Sequence, residues 1–325
     1  MNIDTAALEE IISNAPSNFV IKDALVKCYE EVQLHNRILC LISGGQDSDV
    51  MLDMMIRCGA KGKTDFLFCN TGLEYSATIE HLAELENKYG ITIRRVNAEV
   101  PIPICVKKYG VPFWSKYVSD MMYRLQRHNF SWEDKPYEEL VQEYPKCQTA
   151  LKWWCNYGET DKFSIRRSPF LKEFIINNPP RFKISDKCCT YAKKNVAHKI
   201  AKDYDMQCVG IRRAEGGIRA AAFHNCFTVG LETDQFRPIF WLSNTDKMEY
   251  IDFYSITNSR CYTEYGLVRT GCFGCPFGKA FEEELSAIEE FEPNLLKAAN
   301  KIFGESYDYT RSYLQFRNEK KRGLS

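Results

Sequence analysis

The chain has 325 residues with 43 basic and 43 acidic side chains, enough for one large α/β domain or for a domain with a substantial appendage. Its zero net charge excludes a whole-molecule pull toward nucleic acid or an anionic membrane and leaves only local patches. No apolar run approaches the roughly 20 residues that cross a bilayer, and Met1-Asn-Ile-Asp-Thr lacks the basic and apolar regions of a secretion signal, so the expectation is a cytoplasmic protein with no membrane partner.

Residues 3–35 read as two helices. Asp4 can cap the first, and Val20, Leu25, Cys28 and Val32 stripe the second. Ile38 to Ile42 is an apolar run of strand length, read as a buried parallel strand. It ends in Ser43-Gly44-Gly45-Gln46-Asp47-Ser48, after which Val50, Met51, Met54 and Met55 fall on one helical face. Adjacent glycines at a strand-to-helix turn let backbone N–H groups converge, and the helix adds the positive end of its dipole. Asp47 and Ser48 sit at the helix start, as cap and hydroxyl donor. The turn is therefore an anion or phosphate site in outline. It is not a Walker loop, because no Gly-Lys-[Ser/Thr] ending follows.

A second buried strand, 65–70, runs into Thr71-Gly72-Leu73-Glu74 and a helix from about Ser76 to Tyr89. A third strand covers 91–96. This alternation predicts a doubly wound, mostly parallel sheet, with ligands beyond the carboxyl ends of its strands. From about 101 to 186 the alternation fails, and helices near Lys116–Arg127 and Tyr137–Tyr144 suggest a helical insertion. Lys107, Lys108, Lys116, Arg124, Arg127, Arg166 and Arg167 interleave there with aromatics. That pattern suits a polyanion such as nucleic acid, though a solvated helical face accounts for it more simply. Beyond it come a helix over Lys193–Tyr204, a strand over 206–210 ending in Gly210, and a capping box at Ser243–Asp246 opening a helix through Tyr254. Helix from Ala280 to about Phe316 and a frayed basic end at Lys320–Arg322 complete the chain. The expected divisions are 1–36, 37–278 with the insertion at about 101–186, and a helical extension over 279–325.

Fourteen cysteines in a reducing compartment do not read as a disulfide framework. Cys28, Cys40, Cys58, Cys69 and Cys208 lie in apolar segments as small core residues. Cys188-Cys189 and Cys272-Phe-Gly-Cys275 together offer four soft ligands, suited to zinc or an iron–sulfur cluster. C-x-x-C alone is also a dithiol motif, and core packing is a third reading. No histidine falls in a ligand or triad spacing, and His81 and His198 read as helix-surface residues.

Ser43-Gly44-Gly45-x-Asp47-Ser48 after a strand resembles the pyrophosphate loop of the ATP-pyrophosphatase and PAPS-reductase superfamily, whose members bind an adenine nucleotide there. Lys187-Cys188-Cys189-x-x-x-Lys193 with Cys272-x-x-Cys275 resembles the cluster arrangement of APS reductases. That likeness implies a [4Fe–4S] centre on Cys188, Cys189, Cys272 and Cys275, with Lys193 near it. Gly210-Ile-Arg212-x-x-Glu215-Gly216-x-x-Arg219 is similar to the family's nucleotide and sulfate segment, with Gly216 in place of serine. Thr71-Gly72-Leu73-Glu74 resembles its D-T-G-x-E turn, with Asn70 for aspartate, and Pro238 to Asp246 resembles its P-L-x-x-W segment, with Trp241 displaced by one position.

The resemblance implies nucleotide binding by Ser43, Gly44, Gly45, Gln46, Asp47, Ser48, Thr71, Gly72, Gly210, Arg212, Glu215 and Arg219, with catalytic roles for Asp47, Lys193 and Arg212. Sulfonucleotide reductases of the family carry a cysteine in an E-C-G-x-H tail, and no cysteine follows Cys275 here. An intact pyrophosphate loop without that tail implies ATP with Mg²⁺, adenylation of an acceptor for sulfur transfer, and a sulfur donor or reductant protein as partner. A nucleic acid is one candidate acceptor. The alternatives are APS or PAPS reduction by another thiol, from Cys226, Cys261, Cys147 or Cys155, and a zinc-stabilised binding module without catalysis.

Overall fold

Five apolar residues with no polar interruption form strand β1 (Ile38–Ile42), and a strand covered on both faces needs that composition. The structure is a computed structural model describing residues 4–158, 164–216, 222–277 and 281–323. It divides into two units, one of residues 1–99 and 193–272 and the other of 100–192 and 273–325.

The first unit opens with helices α1 (Thr5–Ser13) and α2 (Phe19–Leu34). Asp4 caps α1 by accepting from the Ala6 and Ala7 amides, and Asn18 does the same for Val20 and Ile21. After β1 come α3 (Gln46–Arg57), β2 (Thr64–Asn70), α4 (Ser76–Tyr89) and β3 (Ile93–Asn97). Gly90 ends α4 in the left-handed conformation at φ 58°, which a residue with a side chain adopts only at a cost. Strand β4 is Met206–Val209, and two short strands the sequence did not signal, β5 (Phe227–Thr228) and β6 (Asp234–Phe236), complete the sheet. Their two and three residues are too few for any period to register.

The strand order is β3-β2-β1-β4-β6-β5, and all neighbours run parallel except β5 with β6. Cys40 at the centre stands level with Phe66 on one side and Cys208 on the other. Because β2 and β4 flank β1 on opposite sides, the connections leaving β1 and reaching β4 diverge. The crevice opened there, beyond the carboxyl ends of β1 and β4, is where open α/β sheets bind ligands. One face of α3 (Val50, Met51, Met54, Met55) is fully buried with Leu25, Cys28 and Ile42 in the main core. Each such side chain contributes about 1.5–3 kcal/mol of burial.

The segment Lys187–Ala201 is helical from Lys187, earlier than the sequence pattern suggests, and passes through a π turn at Thr190–Lys194. π turns of this kind recur at functional sites.

In the second unit, helices Ile102–Tyr109, Lys116–Gln126, Tyr137–Glu143, Gln148–Cys155 and Leu171–Asn177 join Phe281–Phe291 and Pro293–Lys321. Phe113, Trp132, Trp153, Trp154 and Phe174 are buried in its core with Tyr313. These aromatics are packing residues and form no exposed stacking platform. Arg124 is paired with Asp120 at 2.9 Å. The expected frayed end is instead helical through Lys321, where Lys320 reaches Glu173 at 2.8 Å. Cations in a last helical turn also suit its dipole. No described helix is long and apolar enough to cross a membrane.

Candidate nucleotide-binding site

Ser43, Gly44 and Gly45 lead β1 into α3. Gly44 has φ +68°, and a Cβ there would lie 2.9 Å from Thr78 Cγ2, so the turn needs glycine for both conformation and space. Gly45 is the N-cap of α3 and supplies no side-chain cap, leaving first-turn amides to partners outside the helix. The sequence assigned the cap to Asp47, but the side chain is used otherwise. Arg212 donates from Nε to Asp47 Oδ1 at 2.9 Å, and Lys247 Nζ lies 3.3 Å from the same oxygen. Ser48 acts locally, its Oγ accepting from the Ser43 amide at 2.9 Å. Lys247 also donates to Gln46 Oε1 at 3.0 Å.

Gly210, at the end of β4, meets this turn from the other side. A Cβ on it would sit 3.0 Å from the Asp47 carbonyl oxygen, so a side chain there would crowd the turn. Arg212, 4% exposed, donates from Nη1 to Asn244 Oδ1 at 3.0 Å and to the Leu242 carbonyl at 3.3 Å. Glu215 accepts from the Arg212 amide at 3.0 Å, bracing that backbone. Ser43, Gly44, Gly45, Gln46, Asp47, Ser48, Gly210, Arg212 and Glu215 are thus brought together as the motifs implied. Arg219 lies outside the described residues.

Sequence reasoning missed three contributors. Lys247 stands one helical turn beyond the Ser243 capping box, and that position was its one available signal. Tyr262 Oη accepts from the Gln46 amide at 3.3 Å and the Thr270 amide at 3.2 Å, and burial pushes its phenol up from the ordinary value. His81 is the third. It is 1% exposed, not on the helix surface as its spacing suggested. Its Nε2 lies 2.9 Å from Asp49 Oδ2, and its Nδ1 lies 3.2 Å from Glu84 Oε2. A carboxylate on each ring nitrogen favours the imidazolium form, which offers an N–H to both. Burial pulls His81 down, but the Asp49 and Glu84 carboxylates outweigh it and hold the imidazole above its ordinary value. Asp49 Oδ1 is buried without a hydrogen-bond partner.

Thr71, fully buried, donates from Oγ1 to Glu74 Oε1 at 2.6 Å, and its amide donates to the same oxygen at 2.9 Å. Gly72, φ +82°, turns the chain after β2, and its amide donates to Asn70 Oδ1 at 3.0 Å. Thr71 Oγ1 lies 3.5 Å from Cys272 Sγ, which joins the Thr-Gly-Leu-Glu turn to the first cysteine of the C-x-x-C. Lys193 lies in the π turn, close enough to Cys69 for its charge to oppose the upward push of burial on that thiol.

In the second unit Cys188 is buried and Cys189 and Cys275 are half-buried. Burial, aided by Cys189, pushes the Cys105 thiol up to about 11. Between Cys272 and Cys275, Gly274 has φ +60° and accepts at its carbonyl from Tyr307 Oη. All the cysteines are thiols, not disulfides, and four such donors fit zinc or iron–sulfur chemistry. Among the described residues no group of three or more His, Cys, Asp or Glu side chains is assembled to hold a metal ion.

Residues 37–126 match the phosphoadenosine phosphosulfate reductase domain. An uncharacterized protein of Methanocaldococcus jannaschii is 34% identical over 171 residues, covering 52% of this chain and 33% of its own length. The match thus spans one third of that relative. Among solved structures, the phosphoadenylyl-sulfate reductase of Candida auris, a phosphate complex, has a TM-score of 0.41 at 10% identity, covering 84% of this chain and 97% of its own. The U34-tRNA thiolase NcsA of Methanococcus maripaludis with its [4Fe–4S] cluster has a TM-score of 0.37 at 12% identity, covering 91% and 81%. The stretch that resembles the phosphoadenosine phosphosulfate reductase domain thus runs from β1 through the helix Lys116–Gln126 and includes the glycine turn.

Proposed function

We propose that this chain is an enzyme that binds ATP with Mg²⁺ at the glycine turn and adenylates an acceptor for sulfur transfer. The observation that carries the reading is the α3 N-terminus without a side-chain cap, beside Asp47 with Arg212 and Lys247 within 3.3 Å of its Oδ1. Helix-terminal amides and two cations around one point favour a polyphosphate.

In this reading the pyrophosphate rests on Ser43, Gly44, Gly45, Gln46 and Ser48. Asp47 belongs to the same loop, holding Arg212 and Lys247 beside the pyrophosphate, and Mg²⁺ bound with the nucleotide would offset the charge of the phosphates. Thr71, Gly72, Gly210, Glu215 and Arg219 complete the nucleotide's surroundings. An acceptor oxygen attacks the α-phosphorus, the bond to the pyrophosphate oxygen breaks, and Arg212 stabilises charge on the phosphate oxygens. A sulfur nucleophile then displaces AMP from the adenylated acceptor. Cys188, Cys189, Cys272 and Cys275 are assigned to a [4Fe–4S] cluster with Lys193 beside it, and no step here is routed through it. Residues 37–278 form the nucleotide-binding domain, with 1–36 and 279–325 as additions, and the protein is placed in the cytoplasm. Its partners are the nucleotide, a sulfur donor or reductant protein, and an acceptor that includes nucleic acid among its candidates.

The reductive alternative follows from the family, which is named for sulfonucleotide reduction. Of its candidate thiols, Cys261 is fully buried and Cys147 nearly so. The test is to incubate anaerobically purified protein with ATP and cellular RNA or DNA, and separately with APS or PAPS plus thioredoxin. Pyrophosphate release stimulated by one acceptor, with no sulfite, supports adenylation. Thioredoxin-dependent sulfite that disappears in Cys226→Ser establishes the alternative.

A further inference from the structure

Arg237 follows β6 directly and is 1% exposed. Its Nη1 donates to Thr228 Oγ1 at 3.1 Å and to the Asn225 carbonyl at 3.3 Å, and its Nη2 donates to Gln235 Oε1 at 2.9 Å. The Phe223 ring lies 4.0 Å from its Cζ. Every one of these partners is neutral, and among the described residues no carboxylate pairs with it. Its Nε is buried without a hydrogen-bond partner. A buried guanidinium with no anion bears the full desolvation penalty of its charge. Burial accordingly pulls Arg237 down from its ordinary value.

The same side chain lines a cavity of about 360 Å³, together with Phe223, His224, Asn225, Thr228 and Gln235. Nε and Nη2 form the edge with which arginine holds two oxygens at once. On that edge one nitrogen is unpartnered and the other makes a single neutral bond. Thr228 and His224 add groups that can donate from other sides, which suits a tetrahedral anion better than a planar one. The volume exceeds what a bare ion fills, so there is room as well for a body carrying the anionic group, with Phe223 as an apolar wall.

We propose that the Arg237 cavity is a binding site for a tetrahedral oxyanion, phosphate or sulfate, either free or as the end group of a small molecule. Strands β1, β4 and β6 are successive neighbours, so Arg237 lies about 10 Å along the sheet from the glycine turn, at the same carboxyl edge. The site stands independently of whether the turn binds ATP.

The experiment uses the full chain in a buffer free of phosphate and sulfate. Melting temperature and calorimetric heat are followed during titration with inorganic phosphate, sulfate, phenyl phosphate and, as the ionic-strength control, chloride. The wild type is expected to gain a saturable upward shift with the oxyanions and none with chloride. A stronger response to phenyl phosphate than to inorganic phosphate identifies an end group, and the reverse identifies the free ion; either supports the site. Arg237→Met is expected to melt higher than wild type in the absence of anion, because an unpaired charge is replaced by apolar volume. It should also weaken oxyanion binding about tenfold or more. Thr228→Val serves where Arg237→Met does not fold, and should weaken binding several-fold. Gly45→Val, which removes any oxyanion response of the glycine turn, should keep the part of the response that depends on Arg237. A wild type that does not respond, a Gly45→Val variant that loses the whole response, or a response that the Arg237 or Thr228 substitution leaves unweakened in the Gly45→Val background overturns the proposal.

Discussion

Replacing His81 with leucine removes the cation from a fully buried pair and leaves the Asp49 carboxylate without compensation. Asp49 is 0% and His81 1% exposed, their contact is 2.9 Å, and Asp49 Oδ1 already has no partner. Breaking a buried pair from one side costs about 3–5 kcal/mol, a large part of the stability of an ordinary domain. The pH dependence separates this from lost packing. His81 is held above its ordinary 6.5, so its stabilisation is complete below that value and is lost as pH rises through the raised folded value. Asp49 is pushed above its ordinary 3.8, mainly by burial, so its ionised form burdens the fold and the burden lifts as pH falls. Glu84 on Nδ1, Lys88 and the Asp47 charge also act on the pair. The deficit of His81→Leu should therefore peak near neutral pH. It should shrink in acid, where Asp49 takes up a proton, and in alkali, where wild-type His81 gives one up. Urea unfolding at a series of pH values measures it, and Asp49→Leu/His81→Leu should recover most of the loss. A deficit constant with pH, or a double variant no better than the single, would refute the charge argument.

Gly45→Val would set a Cβ 2.8 Å from Thr270 Oγ1 and 3.1 Å from Tyr262 Oη, and calorimetry should find ATP binding weakened by about tenfold or more with the fold retained. Gly274→Ala would combine φ +60° with a Cβ 2.9 Å from that of Ala299, and the melting temperature should fall by an amount equivalent to about 1–3 kcal/mol. Cys275→Ser should abolish the brown colour and bound iron of anaerobic preparations and lower stability, since cluster binding is coupled to folding. Zinc without iron in the reconstituted wild type would instead favour the zinc reading.

The parallel core was legible because its strands are uninterrupted apolar runs and its turns carry glycines that only certain conformations require. Ile38–Ile42, the Gly44-Gly45 turn and Gly210 each announce one local constraint, and the sheet order makes the three meet. The Asp4 cap and the Ser243 capping box were legible for the same reason, since cap and capped amide are neighbours in sequence. β5 and β6 escaped because pairing, of β6 with β4 and of β5 with β6, makes them strands and not their own pattern. The long last helix escaped at its end because Lys320 finds Glu173, a partner 147 residues away, by folding.

The residues that sequence missed share a physical character. Lys247, His81 and Arg237 are charged side chains whose positions in sequence read as solvated surface or gave no signal. Lys247 and His81 are buried or nearly so by contacts made across long stretches of chain, and Arg237 by residues 2 to 14 positions before it. Lys247 reaches back to Gln46 and Asp47, His81 to Asp49, and Arg237 settles among neutral groups with no counterion among the described residues. Hydrophobic periodicity cannot report them, because it assigns charge to water. The first two are balanced by carboxylates, so the fold itself accounts for their burial. Arg237 is not balanced in this way, and an anion received by the cavity it lines would supply the missing charge.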